Sequence, residues 1–239
     1  MKENLLAKFY EWGMIKTWYR DQPEGWKLVS GLWSPVYINL RDLPSYPEVF
    51  REVALELGRM VKESNVDRIV GVASAGVPIA SAISYEYRIP MLYTRKLEGV
   101  KNLEELEKKI REYGAHRLVE GRMENGDELG VVDDLITKAD SKLIARSQVL
   151  HEAEKRGVDV SCDKVFVVFD REQGGREVLE EHGIELYALI PFKRNLRTLE
   201  RVMDEIELET IEEYLENPEK YQRKEVQEKL KKIAASKND

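Results

Sequence analysis

A single cysteine, Cys162, in 239 residues leaves no disulfide framework and no cysteine metal cluster. No run reaches the roughly 18 apolar residues of a membrane-spanning helix. The N-terminal MKENLLAKFYEWGM lacks the uninterrupted apolar core of a secretory leader, so the cytoplasm is the expected location. Excess positive charge is also missing. A net charge of −7 argues against non-specific binding to nucleic acid or an anionic membrane, although it leaves room for a local basic pocket. There is no internal repeat and no low-complexity linker. What the chain has in quantity is charge of both signs, 35% of all residues against 42% apolar. Lys and Glu dominate that charge, a balance found in hyperthermophile proteins with surface ion-pair networks. The length suffices for one sizeable α/β domain with smaller additions.

Residues 4–20 carry apolar positions at helical spacing, among them Leu5, Leu6, Phe9, Trp12 and Met14. All four tryptophans, Trp12, Trp18, Trp26 and Trp33, fall in the first 33 residues and are expected to pack this segment onto the body or a second subunit. Tyr46–Glu63 reads as a helix with Pro47 in its first turn, where the missing N–H costs nothing. Short apolar runs then alternate with helical stretches. Arg68–Ala73, Pro90–Tyr93, Leu129–Asp133, Val165–Phe169 and Leu186–Ile190 read as strands, with helices near 77–86, 141–156 and 174–182. Such alternation implies parallel βαβ units with helices on both faces of one sheet. The last 40 residues are charged and helical, broken near Asn217-Pro218, and read as a solvated extension or an oligomer contact. The expected layout is an N-terminal segment at 1–45, a core at 46–195 and a helical extension at 196–239.

Ligands of such sheets collect beyond the carboxyl ends of the strands. The strongest signal there is Val131-Val132-Asp133-Asp134-Leu135-Ile136-Thr137-Lys138-Ala139-Asp140-Ser141. An apolar strand runs into two carboxylates, then a short loop, then a helix starting near Ser141. Backbone N–H groups at such a helix start favour a phosphate, and carboxylates at a strand tip suit sugar hydroxyls. The combination fits a phosphorylated sugar. A P-loop NTPase would need GxxxxGK followed by Ser or Thr, but Gly71–Gly76 is followed by Val77 and Pro78. No GxGxxG opens a helix, which disfavours a dinucleotide fold.

Val131–Ser141 resembles the ribose-phosphate signature of type I phosphoribosyltransferases. Three further blocks, in order, resemble orotate phosphoribosyltransferases. They are Gly71–Ala80 (GVASAGVPIA), Ser30-Gly31 with Ser34–Asn39 (SPVYIN), and Asp170–Gly175 (DREQGG). The resemblance spans about residues 28–192 and disfavours a purine-type transferase. It implies the α/β phosphoribosyltransferase fold, a parallel sheet with an N-terminal hood segment and a C-terminal helical extension. It also implies transfer of a 5-phosphoribosyl group from phosphoribosyl pyrophosphate to a pyrimidine base, most naturally orotate, with Mg2+ bound mainly by substrate oxygens. On the same ground Asp133 and Asp134 would hold the ribose hydroxyls, and Thr137, Lys138, Ala139, Asp140 and Ser141 the 5′-phosphate. Ser74, Ala75 and Gly76 would take the pyrophosphate, with Arg95 and Lys96 opening the mobile catalytic loop. Tyr37 would lie against the base and Arg171 would meet the orotate carboxylate. A homodimer with shared active sites is implied too.

The chain departs from the family pattern at functional positions. Ala139 and Asp140 stand where glycines are usual. A glycine there permits positive φ, and an aspartate puts charge beside a dianion. Two unit charges about 4 Å apart repel by roughly 4 kcal/mol at an effective dielectric near 20, which Lys138 would partly offset. Val29 and Leu32 replace a usual lysine and arginine. Past Arg95-Lys96 an insertion predicts a short helix capped by Asn102, with Glu105 at its third position and a Leu103, Leu106, Ile110 stripe. Arg111 and Tyr113 then precede Gly114, where a lysine and a histidine are usual, and His116 lies nearby. His151 and His182 read as structural. Two readings stay open, an active orotate phosphoribosyltransferase and a catalytically weak relative that binds a nucleotide or phosphoribosyl ligand for regulation.

Overall fold

The computed structural model describes residues 2–28, 31–113 and 116–237. Val29, Ser30 and Gly114, singled out above, lie outside them, and the side chain of Tyr113 is likewise not described. The chain divides into two compact units, Met1–Leu43 with Phe192–Asp239, and Pro44–Pro191.

The first unit opens with α1 (Lys2–Glu11), β1 (Ile15–Thr17), β2 (Trp26–Lys27), β3 (Trp33–Ser34) and β4 (Val36–Ile38). The second holds α2 (Pro47–Glu63), β5 (Arg68–Gly71), α3 (Gly76–Tyr87), β6 (Met91–Thr94), α4 (Leu103–Tyr113), β7 (Val119–Glu120), β8 (Asp127–Ile136), α5 (Asp140–Arg156), β9 (Val160–Asp170), α6 (Gly175–Glu181) and β10 (Glu185–Pro191). The first unit then resumes with α7 (Phe192–Asn195), α8 (Glu205–Glu216) and α9 (Lys224–Ala235).

The second unit is built on a six-stranded sheet in the order β10-β9-β8-β5-β6-β7, parallel except for β7 at the edge. Its strands are dense in Val, Ile and Phe. Val131, Val132, Val165, Phe166, Val167, Val168 and Phe169 are all buried, as expected of a sheet covered on both faces. Helix α2 starts with Pro47 at its first turn and buries Val49, Val53, Leu57 and Val61, four residues apart along one stripe. Helix α4 is capped as its sequence predicts. The Asn102 Oδ1 accepts from the Glu105 amide at 2.9 Å, and the Glu105 carboxylate accepts from the Lys101 amide at 2.6 Å. Leu106 is fully buried on it, whereas Leu103 is exposed, so the stripe is shorter than expected.

Chain order supplies the landmark. From β5 the next strand, β6, lies on one side, while β8 lies on the other. The carboxyl ends of β5 and β8 therefore flank the crevice where the strand order reverses, the usual ligand position in an open α/β sheet.

In the first unit the helix expected over 4–20 stops at Glu11. The chain turns through Gly13 (φ +73°) and continues as β1, paired antiparallel with β4. The charged tail is not a solvated arm. Leu208, Ile211, Tyr214, Leu215, Tyr221 and Leu230 are buried, and the aromatic N-terminal segment meets them. Trp18 is buried and donates its indole N–H to the Leu230 carbonyl at 3.1 Å, while the Trp33 ring lies parallel to Tyr221 at 6.4 Å. Glu207, also buried, accepts from the Tyr10 hydroxyl at 2.9 Å and from the Thr17 hydroxyl. Burial, then the Glu207 charge, push the Tyr10 phenol well above its usual range.

Candidate active site

The two carboxylates lie inside β8 rather than after it. Neighbouring β9 runs on beside it to Asp170, so the ladder extends through Leu135↔Phe169 and Ile136↔Asp170. Successive strand residues face opposite sides, and the two acids accordingly differ. Asp133 is buried, and its Oδ2 lies 2.7 Å from the ammonium of Lys142, itself buried on α5. Asp134 is half-buried. Burial first, and the neighbouring Asp133 charge second, push its carboxyl up to about 7, with Lys142 pulling in the other direction.

The loop Val72–Ala75 between β5 and α3 is held by two bonds to neighbouring strands and closed by one of its own. The Val72 amide donates to the Val132 carbonyl at 2.9 Å, the Ala73 amide to the Thr94 hydroxyl at 3.0 Å, and the Gly76 amide to the Val72 carbonyl at 2.9 Å. A Cβ at Gly76 would overlap the Val132 carbonyl and sit 3.0 Å from the Asp133 Cα, so only glycine lets this loop meet the acid pair. The Ala73–Ser74 peptide is cis, Ser74 is exposed and Ala75 half-buried.

After β8, Thr137 and Lys138 lead to Ala139, which takes the left-handed conformation (φ +62°) that glycine would adopt freely, and α5 begins at Asp140. Asp140 and Ser141 are exposed in its first turn, one residue earlier than the sequence suggested for the helix start. The Asp170–Gly175 block closes on the same loop. The Arg171 amide donates to the Ile136 carbonyl at 3.1 Å, and a Cβ at Gly175 would lie 2.7 Å from the Thr137 carbonyl. Arg171 is buried, with its Nε and Nη2 shielded from solvent. Asp170 accepts from the Glu172 amide at 2.8 Å and lies 3.4 Å from Arg176.

Arg95 and Lys96 are exposed just past the end of β6. The Arg95 backbone is held by the Leu118 carbonyl at 2.9 Å and by the Gln148 side-chain amide at 2.9 Å, and its guanidinium stands 3.8 Å from Glu120. Tyr37 belongs to the other compact unit, where its ring stacks on Trp26 at 5.8 Å. Of the histidines, His116 is exposed, and His182, just past the end of α6, lies 2.8 Å from the Val178 carbonyl.

Within the second unit, then, Gly76, Asp133, Asp134, Thr137–Ser141 and Arg171 converge at the strand-order reversal. Sequence reasoning missed Thr94, Gln148 and above all Lys142. A lysine on the first turn of the helix after an acid pair was a visible signal, but nothing along the chain says that it folds back onto Asp133.

An acid pair on a parallel strand, a glycine-tight loop at its side and a helix start just after it, on this sheet, are the arrangement of a type I phosphoribosyltransferase. No family model matches the chain. Relatives do. It is 36% identical over 199 residues to the orotate phosphoribosyltransferase of Staphylothermus marinus, covering 82% of this chain and 88% of that one. To the orotate phosphoribosyltransferase of Pyrobaculum islandicum it is 31% identical over 212 residues, covering 88% and 97%. The chain belongs to the orotate phosphoribosyltransferase family. It is also 36% identical over 187 residues to bovine uridine 5′-monophosphate synthase, but spans only 35% of that longer protein. Among solved structures, Leishmania donovani UMP synthase shares the fold at a TM-score of 0.71 and 24% identity, covering 90% of this chain and 41% of that one. The Aeropyrum pernix orotate phosphoribosyltransferase gives 0.61 at 23% identity, covering 83% and 99%. Among the described residues no helix is long and apolar enough to cross a membrane.

Proposed function

We propose that this chain transfers the 5-phosphoribosyl group of phosphoribosyl pyrophosphate to orotate, forming orotidine 5′-monophosphate and pyrophosphate in pyrimidine nucleotide biosynthesis. The observation that carries the reading is the close approach of Gly76 to Asp133, which brings the 72–76 loop against the carboxylate pair. In this reading the backbone around Ser74, Ala75 and Gly76 holds the pyrophosphate, and Thr137–Ser141 holds the 5′-phosphate. Asp134 accepts from a ribose hydroxyl, while Asp133 is engaged by Lys142. With donor and base fixed in line, the anomeric carbon is attacked by a base nitrogen as pyrophosphate departs, through an oxocarbenium-like transition state. The chain's contribution is positioning and stabilisation of charge on the leaving group.

Arg95 and Lys96, exposed at the tip of β6, supply cations to the departing pyrophosphate, and Arg171 reads the orotate carboxylate. A carboxylate pair with one member already engaged by a lysine is poorly suited to serve as a dedicated metal cage. The donor's own pyrophosphate oxygens are the fitting ligands for Mg2+, which when bound would neutralise the leaving group. We assign the enzyme to the cytoplasm as a homodimer, which light scattering should report as a species near twice the 27.8 kDa chain mass.

The second reading, a catalytically weak binder of phosphoribosyl ligands, draws on Asp140 beside the phosphate loop and on Lys142 occupying Asp133. Pyrophosphate release from the donor with orotate and Mg2+ separates the two. Turnover that depends on orotate and falls sharply in Arg171→Ala supports the enzyme, and donor binding without release supports the binder.

A further inference from the structure

Lys142 has no role in the resemblance, and the reaction drawn above gives it only its contact with Asp133, yet its surroundings are built around it. The residue is only 3% exposed, although lysine is among the residues least often buried. Its ammonium lies 2.7 Å from Asp133 Oδ2 and 3.1 Å from Ser141 Oγ, and it donates to the Leu135 carbonyl. All three of its donors are thereby used. Two of the partners belong to the tip of β8 and the third to the loop expected to hold the 5′-phosphate. The lysine therefore spans the two ends of that loop.

We propose that Lys142 is a positioning residue for the phosphoribosyl donor, which clamps the 137–141 loop between Leu135 and Ser141 and cancels the charge of Asp133, so that Asp134 alone serves the ribose. This rests on the functional reading above. A buried charge needs a counter-charge and hydrogen-bond partners, and here they come from the donor site itself. Among the described residues the charges near the acid pair include buried Arg171, just past the end of β9. Helix α5 contributes Lys142 and, at its exposed first turn, Asp140, while the loop before it contributes exposed Lys138. Helix α3 presents Gly76, which has no side chain, and β9 places Val167 opposite Asp133. The end of β9 carries Asp170 with Arg176. Lys142 is the cation held directly against Asp133, at 2.7 Å. Without it, two adjacent carboxylates would share a largely buried place, and one would keep a proton to higher pH. A protonated Asp134 is a poorer acceptor for a ribose hydroxyl.

The test compares wild type, Lys142→Met and the double variant Lys142→Met/Asp133→Asn. Donor binding with Mg2+ is measured by calorimetry from pH 5.5 to 9, alongside melting curves and the KM for orotate. Lys142→Met should bind the donor about tenfold more weakly at pH 7, the effect of losing one charge-assisted contact. The pH at which affinity falls off should rise by about one unit, and the KM for orotate should stay unchanged. The double variant leaves no lone buried charge, so it should recover the melting temperature while remaining weak for the donor. That outcome separates positioning from folding even if Lys142→Met alone folds poorly. Wild-type donor affinity and an unmoved pH profile in Lys142→Met, or restored affinity in the double variant, would overturn the proposal. If wild type itself binds no donor, the functional reading fails and this inference falls with it. If wild type binds and only the variants match it, the inference fails alone.

Discussion

Gly76 and Asp133 approach so closely that a methyl group on the glycine would stand 3.0 Å from the Asp133 Cα and overlap the carbonyl of Val132. The contact joins the start of α3 to the strand that carries the acid pair. Gly76→Ala should therefore displace backbone rather than a flexible side-chain end. Stability should drop by about 1–3 kcal/mol, the usual range for overpacking. Donor affinity should fall at least about tenfold as the 72–76 loop shifts. Urea unfolding and donor titration check the two effects, and an unchanged variant would mean that the loop and β8 are not tightly docked.

Asp134 should reveal itself through pH. Its carboxyl is raised to about 7 by burial and by Asp133, against about 4 in an unfolded chain. The folded protein therefore holds a proton that the unfolded chain releases, and stability from this group declines as pH rises between those values. Asp134→Asn removes the titration. Its melting temperature should match wild type near pH 3.5, exceed it progressively from about pH 4 to 7, and keep a constant lead above that. Donor binding should be weakened at pH 8 in the same variant. A melting difference independent of pH would show that the carboxyl is not perturbed.

Ala139 holds a conformation (φ +62°) that costs an L-residue about 1–2 kcal/mol. Part of that gain is offset in Ala139→Gly by the greater freedom of the unfolded chain, so the variant should be more stable by roughly 0.5 kcal/mol. Asp140→Gly should do the opposite to stability. It removes a carboxylate from the first turn of α5, where the helix dipole favours it, and lowers the melting temperature slightly. Donor affinity should improve about three- to tenfold, a screened remnant of the bare repulsion because the side chain is exposed. Calorimetry on both variants separates backbone strain from charge.

In the other unit, Glu207 accepts from two buried hydroxyls, those of Tyr10 and Thr17. Glu207→Gln replaces one accepting oxygen by a donor and leaves one of these hydroxyls without its acceptor. The expected loss is about 1–3 kcal/mol in denaturant unfolding. An unaltered midpoint would show that this network contributes little to the unit.

Much of this protein is determined by local sequence. The alternation of Val-rich runs with helical stretches dictates a parallel sheet covered on both faces. Asn102 and Glu105 form their capping interaction within four residues, and Pro47 sits where a helix tolerates it. Three of the four motifs, Gly71–Ala80, Val131–Ser141 and Asp170–Gly175, lie at the carboxyl ends of parallel strands, which the sheet brings to one edge, while Ser34–Asn39 belongs to the other unit. Tertiary structure decided what depends on distant partners. The strand carrying Asp133 and Asp134 runs longer than its apolar run because β9 continues alongside it. The charged tail is a packing partner of the N-terminal segment, since Trp18 and Leu230 meet across 212 positions that no local pattern can span. Lys142 looks like an ordinary surface lysine in a charged helix until α5 is laid against β8. Only then does burial force it to find Asp133, because a buried ammonium is tolerable only with a counter-charge in reach.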